Sequence, residues 1–165
     1  MATKAKKTTE TGAGTGPQVG DAAPEIELLT DEGTPFRLSS LRGQEVILYF
    51  YPKADTPGCT TESCQFRDES KKIAKKNAVI VGVSPDTSSA QAKFKTKFSL
   101  PFTLLADADH VAAEAYGVWK EKSMYGKKYM GVERTTFLIG ADGAIRKVFH
   151  KVKPDGHALE VLAEL

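Results

Sequence analysis

The sequence has few of the residues that form disulfides, membrane spans or metal sites. Only two cysteines and three histidines occur among its 165 residues. No apolar run approaches the roughly 18 residues that a membrane span needs. These shortages argue against a disulfide-rich scaffold and against a membrane protein. A chain of this length can instead be stable through one hydrophobic core of its own.

Net charge is also scarce outside the N-terminus. The formal charge of +2 is carried by residues 1–20, where Lys4, Lys6 and Lys7 outnumber Glu10, and the rest of the chain is neutral. Nucleic-acid binding depends on a clustered basic face, so nucleic acid is not an expected partner. A weak contact through the three N-terminal lysines stays open as a minor alternative.

Residues 1–19 are predicted to be a disordered tail, because they are rich in threonine, glycine, alanine and lysine. They have neither the apolar stretch of a secretory signal nor the arginines of a transit peptide. We therefore expect one domain at residues 20–165 and a cytoplasmic location. In that reducing compartment two cysteines are more typical of reactive or metal-binding thiols than of a structural disulfide.

Hydrophobic patterning predicts an α/β domain with a mixed sheet, because strands alternate with helices along the chain. Residues 45–51 are apolar at nearly every position, as in a strand buried on both faces. Pro52 ends this strand, and residues 57–77 show helical spacing. The other predictions are two strands around the turn 31–34, strands at 78–86 and 102–107, helices at 88–98, 110–117 and 153–165, a hairpin at 133–152 and an irregular connection at 120–131.

Both cysteines lie at the start of the helix predicted from residue 57. Thr56 and Pro57 fit the N-cap and the first helical position, which places Cys59 in the first turn. Unpaired N–H groups and the positive end of the helix dipole favour the thiolate there, and the thiolate is the reactive form. The plainer interpretation is that Cys59 is a small buried residue, as most free cysteines are.

The spacing of Cys59 and Cys64 indicates a switch rather than a permanent crosslink. Five residues of ideal helix correspond to a rise of ~7.5 Å and a net rotation of ~140°, so the two Cα atoms lie roughly 8–9 Å apart. A disulfide needs less than about 7 Å. The pair can therefore bond only if the first helical turns unwind. Oxidation of one thiol to a sulfenic acid by a peroxide, followed by condensation with the second thiol, fits this arrangement.

The residues around Cys59 resemble a known family. Pro52, Thr56 and Cys59 read P-x3-T-x2-C, the active-site signature of the peroxiredoxins, and Cys64 matches the Q-type branch, also called bacterioferritin comigratory protein. The similarity covers nearly the whole chain from about Gly20. It includes the segments GDAAPEIELLTDEG, ILYFYPKADTPGCTTESCQFRD, VGVSPD, PFTLLAD, YGVWKEKSMYGKKYMGVERTTFLI and ADGAIRKVF.

This resemblance implies a thioredoxin-like fold, with a mixed central sheet flanked by helices and an added N-terminal β-hairpin. It implies Cys59 as the peroxidatic nucleophile, Cys64 as the resolving thiol and Arg134 as the guanidinium beside Cys59. Thr56 would complete the site as a hydrogen-bond donor, and Pro52 would shield the nucleophile from water. No metal, haem, flavin or other cofactor is implied.

Two charged residues have plainer interpretations as well. Without the resemblance, Arg134 would be assigned to a surface or strand-edge salt bridge. Glu62, three residues after Cys59, is expected either to pair with Arg134 or simply to occupy a position that favours acidic residues near a helix N-terminus.

The implied activity is the reduction of hydrogen peroxide and organic hydroperoxides to water or alcohol. Thioredoxin is the implied reductant, with a glutaredoxin-type protein as the alternative, and a monomer is expected because the family includes monomers. A thioredoxin-like disulfide exchanger would prefer C-x-x-C, which this chain lacks. A redox sensor or a chaperone-like protein would use the same switch without turnover.

Zinc sites and cysteine hydrolases are less compatible with the residues present. A zinc site needs about four ligands, and a cysteine hydrolase needs a histidine oriented on its thiol. His110, His150 and His157 are scattered along the chain and have no ligand spacing.

Overall fold

The computed structural model describes residues 16–165, which form nine strands and four helices. The strands are β1 (Glu27–Thr30), β2 (Pro35–Arg37), β3 (Glu45–Phe50), β4 (Ala78–Ser84), β5 (Thr103–Ala106), β6 (Trp119–Met124), β7 (Lys127–Val132), β8 (Thr135–Ile139) and β9 (Ile145–Phe149). The helices are α1 (Pro57–Lys75), α2 (Ser88–Phe98), α3 (Val111–Ala115) and α4 (His157–Leu162).

One seven-stranded mixed sheet organises the fold, with strand order β9-β8-β3-β4-β5-β1-β2. Strands β3, β4 and β5 are parallel neighbours, whereas β8 runs antiparallel to β3 and β9 antiparallel to β8. Strands β1 and β2 add an antiparallel hairpin at the opposite edge. The predicted α/β class, mixed sheet and N-terminal hairpin are therefore confirmed.

Strand β3 lies at the centre and is buried on both faces, which explains its unbroken apolar sequence. Its alternate residues point into two separate cores. Leu48 and Phe50 face the core that also contains Tyr116 of the segment after α3. Tyr49 faces the core that contains Phe66 of α1. Helix α1 is thus packed directly beneath the strand that leads into it.

Helices α1 and α2 begin close to their predicted positions. Pro57 is the first residue of α1, and Thr87 caps α2 by accepting a hydrogen bond from the N–H of Ala90 at 3.2 Å. The predicted end of the first helix at residue 77 is two residues late, since α1 ends at Lys75 and Asn77 has a positive φ of 58°.

The prediction of an irregular connection at 120–131 is wrong, because β6 and β7 form a two-stranded antiparallel ribbon separate from the main sheet. Tyr125 and Gly126, with φ of 53° and 78°, make the two-residue turn that joins the strands. Residues 123–130 are exposed on both faces. The alternation of apolar and polar residues that marks a half-buried strand is consequently missing there.

The C-terminal helix differs from expectation in where it begins. The closing helix α4 begins at His157 rather than residue 153, because Gly156, with a φ of 84°, stands before its first turn. The predicted tail falls outside the described residues as far as position 15. No helix within residues 16–165 is both long and apolar enough to cross a bilayer.

Candidate active site

The sheet topology brings Cys59 and Arg134 together although 75 residues separate them. Cys59 lies in the first turn of α1, which follows β3 through the loop 51–56. Arg134 immediately precedes β8, and β8 pairs with β3 so that Thr135 lies opposite Phe50. The start of β8 and the end of β3 therefore lie side by side at the same end of the sheet, next to the N-terminus of α1.

The Arg134 guanidinium is shared between a thiol and a carboxylate. Its Nη2 donates to the Sγ of Cys59 at 3.3 Å, and its Nη1 donates to Oε1 of Glu62 at 2.7 Å. Cys59 and Glu62 are fully buried, and the Arg134 side chain is 14% exposed. Burial alone would lower the pKa of Arg134, but its electrostatic interactions and hydrogen bonds with Glu62 and Cys59 raise the pKa above its ordinary value. A permanent positive charge thus faces the sulfur.

Glu62 is only partly compensated in this cluster. Burial raises its pKa from 4.5 to about 7, and the charge and hydrogen bond of Arg134 oppose that rise. Its second oxygen, Oε2, is buried and has no hydrogen-bond partner among residues 16–165. A charged Glu62 therefore costs folding free energy, which protonation relieves.

We expect Glu62 to make the fold less stable as the pH rises. The folded state holds the Glu62 proton more tightly than the unfolded chain does, so the free energy of unfolding falls between about pH 4.5 and about pH 7. The size of the fall is on the order of 3 kcal/mol, from a shift of about two pKa units or slightly more. In Glu62→Gln, the free energy of unfolding measured with urea should not show this fall between about pH 4.5 and about pH 7.

The difference between wild type and Glu62→Gln isolates this effect. Burial lowers the pKa of His157 and raises that of Asp107, and both contributions cancel in the comparison. Asp68→Asn, at an exposed position of the same helix, is the matched control and should keep the wild-type pH dependence. Equal slopes in wild type and Glu62→Gln would contradict the assignment.

Thr56 is the N-cap residue of α1, as predicted, but its hydroxyl is used differently. The Thr56 Oγ1 donates to the carbonyl of Lys53 at 2.8 Å. A carbonyl can only accept, so this bond occupies the only hydroxyl proton of Thr56 and leaves its lone pairs free. In this geometry the Thr56 hydroxyl can accept a hydrogen bond from a substrate, whereas the sequence led us to expect that it donates one.

Pro52 lies in the same loop, half-buried, one residue after Tyr51. The loop is fixed to β4 and the residues after it, because the N–H of Ala54 donates to Oδ2 of Asp86 at 2.8 Å and Ser84 Oγ donates to the same oxygen at 2.6 Å. Pro52 and Thr56 thus belong to a tied segment that leads directly into the turn holding Cys59.

Cys64 lies further along the same helix. Helix α1 is continuous from Pro57 to Lys75, and both cysteines are free thiols, Cys59 buried and Cys64 partly exposed. Two cysteines at this spacing in a continuous helix cannot form a disulfide without a change of conformation.

Several neighbours of this cluster have no recognisable signal in the sequence. Ser63, between the cysteines in position, exchanges a hydrogen bond of 2.8 Å with the buried hydroxyl of Tyr49. Gly58 leaves room for the guanidinium, since a Cβ there would lie 3.1 Å from Nη2 of Arg134. Burial and Arg134 lower the pKa of Lys122 on β6, whereas Cys59 acts in the opposite direction. Gly58 and Ser63 lie near Cys59 because they share its helix, whereas only the fold places Lys122 there.

A thiol in the first turn of a helix, hydrogen-bonded to a guanidinium at the start of a sheet strand, is the arrangement expected of a thiol-dependent oxidoreductase. The family model "AhpC/TSA family" matches residues 19–148. Peroxiredoxin Bcp of Bacillus subtilis is 50% identical over 90% of this chain and 94% of its own length. Peroxiredoxin Bcp of Escherichia coli is 44% identical over 85% of this chain and 90% of its own.

Solved structures agree with these relatives. A mutant of Xylella fastidiosa PrxQ superposes with a TM-score of 0.86 at 36% identity, covering 91% of this chain and 96% of that one. Xanthomonas campestris bacterioferritin comigratory protein, described for its alkyl peroxide reduction activity, gives 0.80 at 40% identity, covering 84% and 88%. The chain therefore belongs to the AhpC/TSA family, as a Bcp/PrxQ peroxiredoxin, and is a thiol-dependent peroxidase.

Proposed function

We propose that this chain reduces hydrogen peroxide and organic hydroperoxides through Cys59 and Cys64, with thioredoxin as the reductant. The observation that carries the proposal is the contact of 3.3 Å between Arg134 Nη2 and the Sγ of Cys59 inside the first turn of a helix. The alkyl peroxide reduction described for the Xanthomonas campestris relative supports organic hydroperoxides as substrates.

In the first step, the Cys59 thiolate attacks the terminal oxygen of the hydroperoxide. A sulfur–oxygen bond forms, the O–O bond breaks, and an alkoxide or hydroxide leaves and takes up a proton to become alcohol or water. Cys59 becomes a sulfenic acid, oxidised by two electrons. Arg134 stabilises the negative charge that moves from sulfur to the leaving oxygen. Thr56 Oγ1 accepts the hydroperoxide O–H, and Pro52 limits access of bulk water.

In the second step, the Cys64 thiol attacks the Cys59 sulfenic acid. The sulfur–sulfur bond forms and the hydroxyl group leaves as water. This step requires α1 to unwind between the two cysteines, because the intact helix holds them too far apart. The helical hydrogen bonds and the bond between Ser63 and Tyr49 oppose that unwinding.

In the third step, an external dithiol reduces the disulfide and both thiols are restored. We assign this role to thioredoxin, with a glutaredoxin-type protein as the alternative. Since both reacting thiols belong to one chain, the cycle needs no second subunit, and we assign it to a monomer in the reducing cytoplasm.

Turnover separates this function from a redox sensor that reacts only once. Wild type is mixed with thioredoxin, thioredoxin reductase and NADPH, and NADPH loss is followed after addition of hydrogen peroxide or cumene hydroperoxide. We expect many equivalents of NADPH to be consumed per chain with either substrate, and little when glutaredoxin and glutathione replace thioredoxin. Consumption that stops after one equivalent would indicate a sensor rather than an enzyme.

A further inference from the structure

Residues 152–157, which we call the strap, run from beside Arg134 to the start of α1. The N–H of Val152 donates to the carbonyl of Arg134 at 2.9 Å. A Cβ on Gly58 would lie 3.4 Å from Cγ of Pro154. The strap therefore contacts both the residue that donates to Cys59 and the helical turn that contains Cys59.

One side chain of α1 binds the strap with both ends of its amide. Gln65 Nε2 donates to Oδ1 of Asp155 at 2.7 Å, and its Oε1 accepts from the N–H of Gly156 at 2.7 Å. Gln65 is the residue directly after Cys64. The carboxamide thus holds α1 against the strap at the end of the segment that joins the two cysteines.

The helix beyond Gln65 is anchored by its core. Phe66 is fully buried, with its ring 4.8 Å from that of Tyr49 and 5.7 Å from the imidazole of His157, centroid to centroid. His157 in turn exchanges a hydrogen bond of 2.8 Å with Thr136 on β8. Unwinding that extended past Phe66 would expose a large aromatic side chain, so Gln65 lies at the boundary between the part of α1 that must open and the part that stays packed.

We propose that Gln65 is a positioning residue that controls how readily Cys64 reaches oxidised Cys59. This inference rests on the proposed function, since it takes Cys64 as the thiol that resolves the sulfenic acid. While Gln65 is hydrogen-bonded to the strap, the first turns of α1 stay helical and the Cys59 sulfenic acid persists. Release of Gln65 lets Cys64 approach.

The lifetime of the Cys59 sulfenic acid determines how much of it is over-oxidised. A second hydroperoxide can transfer an oxygen to the Cys59 sulfenate, which oxidises it by two more electrons to a sulfinate and releases alcohol or water. The sulfinic acid cannot condense with Cys64. Gln65 therefore sets the ratio between a disulfide that can be reduced and an over-oxidised, inactive Cys59.

The first test replaces Gln65 by methionine, which has a similar length and helix propensity but cannot form these two hydrogen bonds. After a pulse of one equivalent of hydrogen peroxide, mass spectrometry follows the Cys59–Cys64 disulfide and the sulfinic acid. We expect disulfide formation to be about three- to tenfold faster in Gln65→Met, because the two exposed hydrogen bonds together contribute about as much as one ordinary bond. The peroxide concentration that over-oxidises half of the chains should rise by the same factor, with the first step unchanged.

A double variant that exchanges the donor and the acceptor between positions 65 and 155 distinguishes control of the Cys64 approach from general destabilisation of the helix. Gln65→Glu keeps the acceptor for Gly156 but places a carboxylate against Asp155, so it should also speed disulfide formation. Asp155→Asn alone can still present an oxygen to Gln65 and should behave as wild type. In the double variant Gln65→Glu/Asp155→Asn, the asparagine amide donates to the glutamate, and the wild-type rate should return.

Glu164→Gln, which removes the distant surface pair with Lys147, is the control for unspecific effects and should leave the disulfide rate unchanged. A wild-type disulfide rate in Gln65→Met, or no recovery in the double variant, would overturn the role of Gln65 and leave the proposed function intact. Failure of wild type itself to form a disulfide between Cys59 and Cys64 would overturn the proposed function and this inference together.

Discussion

Cys59→Ser is expected to have no peroxidase activity, whereas Cys64→Ser is expected to complete the first reaction and then to stop. The chain has no third cysteine, so serine at position 59 removes the nucleophile without a substitute. Serine at position 64 leaves the contact between Arg134 and Cys59 intact but removes the thiol that condenses with the sulfenic acid.

The measurement is a comparison of single and repeated turnover in the two variants. Peroxide loss with equimolar protein should be absent in Cys59→Ser and about stoichiometric in Cys64→Ser, with a sulfenic acid at Cys59 trapped by dimedone and located by mass spectrometry. Steady turnover with thioredoxin should be lost in both. Wild-type turnover of Cys64→Ser would show that the disulfide between Cys59 and Cys64 is not part of the cycle.

Arg134→Lys is expected to slow the reaction of Cys59 with hydroperoxide by about 10²–10³-fold, the usual loss for one donor to a developing oxyanion. The guanidinium serves Cys59 with Nη2 and Glu62 with Nη1 at the same time. An ammonium is a single point charge on a shorter group, so it cannot occupy both positions. We expect lysine to pair with the buried Glu62 and to leave the sulfur without its donor.

Stopped-flow kinetics of the single reaction with hydrogen peroxide measures this loss directly. Arg37→Lys is the matched control, because Arg37 is exposed and its pair with Glu27 is 3.6 Å long, and it should react at the wild-type rate. Circular dichroism checks that both variants are folded. A rate for Arg134→Lys within about twofold of wild type would show that the guanidinium does not stabilise the reaction.

Local sequence predicts the half of the site that one continuous segment forms. The apolar run of β3, the helix start at Pro57 and the position of Cys59 in the first turn all follow from patterns within about twenty residues. The spacing of Cys59 and Cys64 is sufficient to indicate that an intact helix keeps the two thiols apart.

The other half of the site depends on contacts that local patterns do not encode. Arg134 is indicated only by the family resemblance, because its partners Cys59 and Glu62 are more than 70 residues away in sequence. The bond of Gln65 to the strap spans 90 residues. The ribbon β6–β7 could not be predicted because strands exposed on both faces lack the period-two pattern. The hydrogen bond of the Thr56 hydroxyl could not be predicted because its carbonyl partner depends on the loop conformation.

Hydrogen–deuterium exchange of wild type in the reduced and the oxidised state tests the central claim most directly. Peptides covering residues 59–66 should exchange slowly in the reduced protein, in which α1 is continuous, and much faster after one equivalent of hydrogen peroxide has formed the disulfide. Peptides from β3 should be unchanged and serve as the internal reference. Equally slow exchange of residues 59–66 in both states would contradict an unwinding switch.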